Sequence, residues 1–333
     1  MRVLHDYLHD SDDKERKWWL YKRQSLGLAE RLLLIAESKQ EMEIQQKFNS
    51  RADSVLTCGD VLRFKKEPDG KHMKLYQAYF CKDRLCAMCQ WRRQLKVTFQ
   101  MRRTIEQALI EYPGSRFLFL TLTIRSVKGD ELRNALRSMN VAFRNMIRWK
   151  KVKADLLGFV RSAEVTVNKN TMMYHPHLHV LLMVRPSYFK GGHYFSHSEW
   201  QSMWKKAMKL DYDPMVNIQV IKPNSKRKNS QTILSAVAEV GKYQVKPTTY
   251  LTADKPQDAL IIETLERELK NSRMVTYGLA LKDINKRLFK DDDASSDNAD
   301  LIHVDDDDSI KATAETVTAT WNSKIKNYVI FNK

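Results

Sequence analysis

Two strand-like stretches, GFVRSAEVTV at residues 158–167 and YHPHLHVLLMV at residues 174–184, are separated by only six residues. Segments so close pair as an antiparallel hairpin, and that pairing constrains the fold more than any other feature of the chain. In the second stretch Leu178, Val180, Leu182 and Val184 share one face, as aliphatic residues do in a half-buried strand. His177 and His179 then project together from the other face, ~7 Å apart along the chain. A turn centred on Asn170 and Thr171 sets Glu164 opposite His177. One carboxylate and two imidazoles on one face form a site for a divalent ion with open coordination positions. A register slip of one residue would turn Glu164 away, and an H-x-H pair alone equally suits a polar strand face. His175 is an alternative to Glu164 as ligand, although Pro176 disturbs the pleat beside it; His193 and His197 read as structural.

The 333 residues carry 57 Lys and Arg against 40 Asp and Glu, a net charge of +17. Residues 291–309 hold nine Asp and no Lys or Arg, so the remainder carries +26. A body that basic fits a polyanion, usually nucleic acid, better than it fits a merely solvated surface. The longest apolar run, FLFL at residues 117–120, is too short to span a bilayer. The N-terminal MRVLHDYLHDSDDKERK has no apolar h-region. A cytoplasmic protein without membrane contact is expected, with its four cysteines reduced and more suited to metal than to disulfides.

Composition shifts divide the chain. Residues 1–50 read as a helical N-terminal region. Residues 51–112 hold short strand-like pieces, a turn at Pro68, Asp69 and Gly70, all four cysteines, and a connecting helix from Gln94 to about Glu111. Residues 113–255 alternate: a strand at 116–124, a helix capped by Asp130, the hairpin, a helix opened by the capping box SHSE at 196–199, the strand VNIQVI, and a helix from about Thr232 to Gln244. This order predicts an α+β fold with a ferredoxin-like (split β-α-β) antiparallel sheet flanked by helices. Residues 256–290 read as a C-terminal helical segment, and residues 291–333 as an acidic, partly disordered tail.

The last helix of residues 113–255, AVAEVGKYQVK, places Glu239 and Tyr243 four apart on one face, with Lys242 and Lys246 near them. Most tyrosines on such helices only pack a ring and wet a hydroxyl. Beside a divalent ion, however, a phenol can attack a phosphodiester, lysines can hold the phosphate, and a glutamate can serve as general base.

The three motifs in this order, FLTLT, HPHLHVLL and EVGKY, resemble those of the rolling-circle replication initiator (Rep) proteins of small bacterial plasmids, in the HUH endonuclease superfamily. The resemblance covers about residues 55–277. It implies an HUH endonuclease core with Mn2+ or Mg2+ at Glu164, His177 and His179. It also implies that Tyr243 nicks one strand of the plasmid's double-strand origin and stays linked to the 5′ phosphate. The freed 3′ hydroxyl then primes a host polymerase, and Glu239 activates water for the terminating cleavage. Tyr250, beyond Pro247 and without a glutamate partner, is the weaker candidate nucleophile. No G-x-x-x-x-G-K-[ST] loop is present, so unwinding falls to a host helicase.

Cys81, Cys86 and Cys89, spaced C-x4-C-x2-C, together with Cys58 suit a tetrahedral structural Zn2+. The proteins resembled also carry this cluster next to WRR. Arg84, Arg92 and Arg93 around it are candidates for gripping DNA, as are Lys242, Lys246 and the loop KPNSKRKNS at residues 222–230. A conjugative relaxase or a single-tyrosine transposase would share the chemistry. A non-catalytic, zinc-dependent DNA-binding regulator would explain the charge and the cysteines, but would leave Glu164, His177, His179 and Tyr243 without a role.

Overall fold

The computed structural model of the chain describes residues 2–3, 17–66, 73–221, 233–242, 244–273, 275–290, 292, 294, 299–304 and 315–331. Its elements begin with β1 (Arg2–Val3), α1 (Trp18–Glu37), α2 (Met42–Leu56), β2 (Val61–Lys66), β3 (Met73–Ala78) and α3 (Ala87–Glu111). Next come β4 (Arg116–Thr123), α4 (Leu132–Met146), α5 (Lys150–Asp155), β5 (Leu156–Asn168), β6 (Met173–Val184), α6 (His197–Met208) and β7 (Val216–Ile221). The remainder is α7 (Ile233–Val240), α8 (Pro247–Tyr250), α9 (Lys255–Leu269), β8 (Val275–Leu279), α10 (Ala280–Phe289), β9 (Thr316–Asn322) and β10 (Asn327–Phe331). Two compact units result: unit one holds Met1–Lys96, Tyr250–Glu263 and Asp297–Lys333, and unit two holds Val97–Thr249 and Thr264–Ser296.

Unit one is built on an antiparallel sheet of strand order β1-β10-β9-β2-β3. The helical stripe of α1 buries Leu28, Leu32 and Ile35. At its start Trp18 meets Phe64 of β2 edge-on at 5.6 Å and Trp91 at 4.5 Å. Within residues 291–333, read from sequence as an acidic tail, residues 316–331 are a β-hairpin. Ala319 of β9 pairs with Leu62 of β2, and the buried Tyr328 of β10 donates its hydroxyl to the Gly59 carbonyl at 2.6 Å. The alternation Val317, Ala319 is a short signal behind a long aspartate run, and its partner strand lies far earlier in the chain. The connecting helix also departs from expectation: α3 begins at Ala87 rather than at Gln94, so Cys89 lies in its first turn.

Unit two is an antiparallel sheet of order β7-β4-β6-β5-β8. Its four strands β4, β5, β6 and β7 follow one another along the chain with helices after the first and third, the split β-α-β pattern. The hairpin register is the one the sequence dictates, with Glu164 paired to His177 and Ser162 to His179. One sheet face sets Leu118, Leu120, Leu122, Leu178, Val180 and Leu182 against α4 and α6, whose Phe143, Trp200 and Trp204 fill the layer. The other face carries Phe117, Phe119, Leu181 and Met183 under Met101, Ile105, Val237 and Leu281 from α3, α7 and α10. Further along that second face the same alternation continues with Thr121, Thr123, His177 and His179, where apolar side chains give way to polar ones.

Local signals explain most of the boundaries. The Ser196 side chain accepts from the Glu199 N–H and opens α6, as its capping box requires. Asp130 does not cap α4; it lies in a 3-10 turn over Gly129–Glu131, where the Lys128 N–H donates to the Glu131 carboxylate at 2.9 Å. The helix expected to reach Gln244 stops at Val240. There Gly241 approaches α3 so closely that a Cβ would stand 2.8 Å from the Thr98 hydroxyl. Among the described residues no helix is long and apolar enough to cross a membrane.

Gly278 of β8 pairs with Phe159, and a Cβ there would lie 2.1 Å from the Phe159 ring. Gly278→Ala is expected to destabilise the protein by roughly 1–3 kcal/mol through overpacking. Urea unfolding followed by circular dichroism reads the change, and an unshifted midpoint would show that the ring yields without cost.

Candidate active site

The polar end of the second sheet face gathers three metal-ligating side chains. Donor atoms of Glu164 on β5, His179 on β6 and Glu239 on α7 all lie within 4.8 Å of one another. The Nε2 of His179 meets the Glu164 carboxylate at 2.9 Å, while its Nδ1 lies 3.3 Å from the Thr121 hydroxyl on β4. Phe119 stacks on the same imidazole at 5.8 Å, so the ring plane is constrained from behind. Lys246 reaches the other Glu164 oxygen at 3.3 Å, and Lys242 pairs with Glu239.

His177 stands one step along. Its ring lies 6.2 Å from that of His179 and 4.4 Å from that of His175, and its buried Nδ1 has no hydrogen-bond partner among the described residues. Of the three ligands expected from sequence, Glu164 and His179 therefore converge directly. Glu239, read there as a base, takes the place beside them. His175 is turned toward the Ser126 hydroxyl, 3.3 Å from its Nδ1.

Electrostatics keep this set ready to bind a cation. Burial alone would raise the Glu164 pKa, but the His179 hydrogen bond and the Lys246 charge overcome it and hold the carboxyl down to about 2. Burial pushes His177 down to about 4, with His175 and His179 adding to the shift against a smaller opposing pull from Glu164. Burial also lowers His175. Near neutral pH the cluster thus offers an anionic carboxylate and a neutral imidazole at His177, the forms that coordinate metal. Carboxylate oxygens with an imidazole nitrogen suit Mn2+ or Mg2+ better than a thiophilic ion.

In unit one the four cysteines converge as their spacing suggests. The Sγ atoms of Cys58 and Cys89 are 3.5 Å apart, those of Cys81 and Cys89 3.6 Å, and those of Cys86 and Cys58 3.6 Å. These separations are far beyond a disulfide bond. They approach the ~3.8 Å edge of a tetrahedron with Zn–S bonds of about 2.3 Å. Burial resists ionisation of Cys86, yet hydrogen bonds from the other three cysteines and from Ser25 pull it well below the usual thiol value. Hydrogen bonds to Cys58 and Cys86 push Cys81 up, and burial pushes Cys89 up. Without a cation the cluster tolerates little negative charge; a bound Zn2+ supplies what four thiolates need. Two buried groups that carried no sequence signal steady it: Ser25, 3.2 Å from the Cys86 sulfur, and Lys22, which donates to the Cys58 carbonyl at 2.9 Å.

Comparison with known proteins places this architecture. The replication-protein family model Rep_1 matches residues 72–329. A "Protein rep" of Lactiplantibacillus plantarum is 41% identical over 323 residues, 96% of each chain. The chain belongs to the Rep_1 family of replication proteins. A "Protein rep" of Streptococcus pneumoniae serotype 2 (strain D39 / NCTC 7466) is 38% identical over 96% of this chain and 93% of its own. A "Replication protein" of Staphylococcus aureus is 40% identical over 71% of this chain and 99% of its own. No solved structure matches.

Within this Rep-family chain the remaining candidate residues fall into place unevenly. Tyr243 lies outside the described residues, as does the loop at residues 222–230. Tyr250 is fully buried and donates its hydroxyl to the Leu85 carbonyl at 2.6 Å, an anchoring role incompatible with attack on DNA. Arg92 and Arg93, expected to grip DNA, are only 2% and 1% exposed. Arg92 donates to the Leu301 and Ile302 carbonyls, and Arg93 to that of Lys82, because α3 turns both inward. Arg84 is half-buried beside the cluster, its carbonyl accepting from Gln90 at 2.6 Å. His193 and His197 are structural as read, bonded to Asp155 and to the Val216 carbonyl. Thr121 was missed, although it belongs to the same FLTLT strand that pairs with the histidines.

Unfolded chains protonate histidine near pH 6.5 and folded His177 only at about 4, so the unfolded state binds more protons in between. Stability is therefore expected to fall as pH drops through that window, and less so in His177→Gln. Melting curves of the two proteins that run parallel between pH 6.5 and 4 would contradict the shift. For the cysteines, elemental analysis of the full chain is expected to find tightly held Zn2+, lost in Cys89→Ser along with a lowered Tm.

Proposed function

We propose that this protein initiates rolling-circle plasmid replication as a metal-dependent DNA nicking and strand-transfer enzyme. The observation that carries the proposal is the convergence of Glu164, His179 and Glu239 beside two lysines on a basic protein. A DNA-binding regulator has no use for two carboxylates and an imidazole whose donor atoms converge on one point in this way.

The nucleophile proposed is Tyr243. The chain on either side of it is tied to the site: Lys242 pairs with Glu239, and the Gln244 carbonyl accepts from the Val165 N–H, next to Glu164, at 2.8 Å. In the proposed reaction the Tyr243 oxygen forms a bond to phosphorus, and the bond from phosphorus to the 3′ oxygen breaks. The 5′ phosphate is left on the tyrosine and a 3′ hydroxyl is released for a polymerase. Because one phosphodiester replaces another, resealing requires no nucleotide triphosphate. Glu164 and His179, with His177 beside them, would hold the divalent ion. When bound there, that ion supplies positive charge that polarises a phosphoryl oxygen. Lys246 and Lys242 neutralise the phosphate and favour the ionised phenol. Thr121 keeps the His179 ring in position.

Glu239 fits two roles, as a second carboxylate donor to the ion beside Glu164 and His179, and as the base that deprotonates water in the terminating cleavage. Origin DNA is the proposed substrate; a host helicase and a host polymerase are the proposed partners.

A denaturing gel after incubation with Mn2+ and single-stranded origin DNA is expected to show a nuclease-sensitive protein–DNA adduct, absent in Tyr243→Phe. An adduct that persists in the variant moves the nucleophile elsewhere, and tight binding with no adduct in either protein favours the regulator. Glu239→Gln separates that residue's roles. A base is replaced at no cost to Mn2+ affinity but with loss of the hydrolytic step, whereas a ligand is replaced with weaker Mn2+ binding by calorimetry, by roughly tenfold or more.

A further inference from the structure

Where β4 leaves the sheet, the chain builds a rim that neither core layer requires. Thr123 of β4 is the cross-strand partner of His177, and Arg125 follows two residues on, ~7 Å further along the chain. The guanidinium carbon of Arg125 sits over the Tyr212 ring, 3.9 Å from its centroid, the closest such approach among the described residues. The Arg125 N–H donates to the Tyr212 hydroxyl at 2.9 Å, so the ring is held at its face and at its tip. Arg125 is exposed and forms no ion pair among the described residues. Met215, 74% exposed, is tied to the end of β4, its carbonyl accepting from both the N–H and the hydroxyl of Thr123, at 3.3 and 2.9 Å. Ser126, next to Arg125, reaches His175, whose ring meets that of His177. The rim is therefore tied by short contacts to the same strands that carry the metal-ligating side chains.

We propose that Arg125, Tyr212 and Met215 form a stacking platform for an unpaired nucleobase next to the scissile phosphate, a role that rests on the nicking reading above. A guanidinium backed by an aromatic ring is planar, fixed and uncompensated. It offers one free face to a base and its charge to the neighbouring phosphate. The Met215 thioether adds a polarizable edge that accommodates any base. Bases in a duplex already stack on one another, so the platform selects single-stranded DNA.

The test measures binding by fluorescence anisotropy with no divalent metal added, so that cleavage is not supported and the Zn2+ expected at the cysteines is kept. Its probe is a labelled single-stranded oligonucleotide spanning the nick site, together with a set in which each base in turn is replaced by an abasic site. Arg125→Ala and Tyr212→Ala are each expected to weaken binding roughly tenfold, with Tyr212→Phe near wild type. At one position the abasic probe should cost wild type about as much, and cost Arg125→Ala nothing further, because the same contact is already gone. Losses that multiply at every position, or full affinity in Arg125→Lys, would overturn the platform in favour of no contact or of a simple charge. Unchanged melting temperatures exclude misfolding of the variants. Adduct formation with Mn2+ on the intact probe reports separately on nicking: the abasic pattern without any adduct keeps the platform and sinks the nicking reading.

Discussion

Antiparallel pairing of β5 with β6 sets Glu164 across from His177, and the chemistry of unit two depends on that register. A shift of β5 by one residue would turn the carboxylate toward the layer of Phe143, Trp200 and Trp204 and carry Phe159 and Ala163 to the opposite face. The apolar residues of the same strands therefore specify the site as firmly as the polar ones do. Burying Leu178, Val180 and Leu182 on one face obliges His177 and His179 to occupy the other. Helix α7 then brings Glu239 over that face through the burial of Ala236, Val237 and Val240.

Electrostatic cost explains why these side chains stay together. Glu164 is buried yet ionised because an imidazole and an ammonium group face its two oxygens. His177 is half-buried and held neutral, and its buried Nδ1 has no partner among the described residues. Such an arrangement stores the desolvation cost of binding a cation in the fold itself, before any cation arrives. The cysteine cluster of unit one follows the same logic with softer donors, its sulfurs brought within van der Waals contact and its charge held down by burial.

Much of this was legible in the sequence because the signals were local. The hairpin register followed from a short connection and a period-two pattern, and the opening of α6 from a four-residue capping box. The cysteine cluster followed from spacing. What could not be read depended on partners distant in sequence. The hairpin at residues 316–331 joins its sheet through β2 and β1, both far earlier in the chain, so its place in a larger sheet carried no local signal. Arg92 and Arg93 looked like surface cations until α3 turned them toward carbonyls. Charge says that a residue favours anions, but the helix phase decides whether anything outside can reach it. Glu239 was placed correctly on the last helix of the core, yet its meeting with His179 needed the docking of that helix on the sheet, which no spacing encodes.

The pairing of β9 with β2 has a consequence for synthesis. Every segment of unit two, up to Ser296, leaves the ribosome before residues 316–331 do, whereas the sheet of unit one waits for them. During that interval β2 presents an unpaired edge, and the seat of Tyr328 beside Gly59 is empty. A nascent chain thus completes the sheet that carries Glu164 and His179 early and closes the sheet beside the cysteines late. A chain halted before these strands would hold a folded unit-two sheet together with an open, aggregation-prone β2 edge.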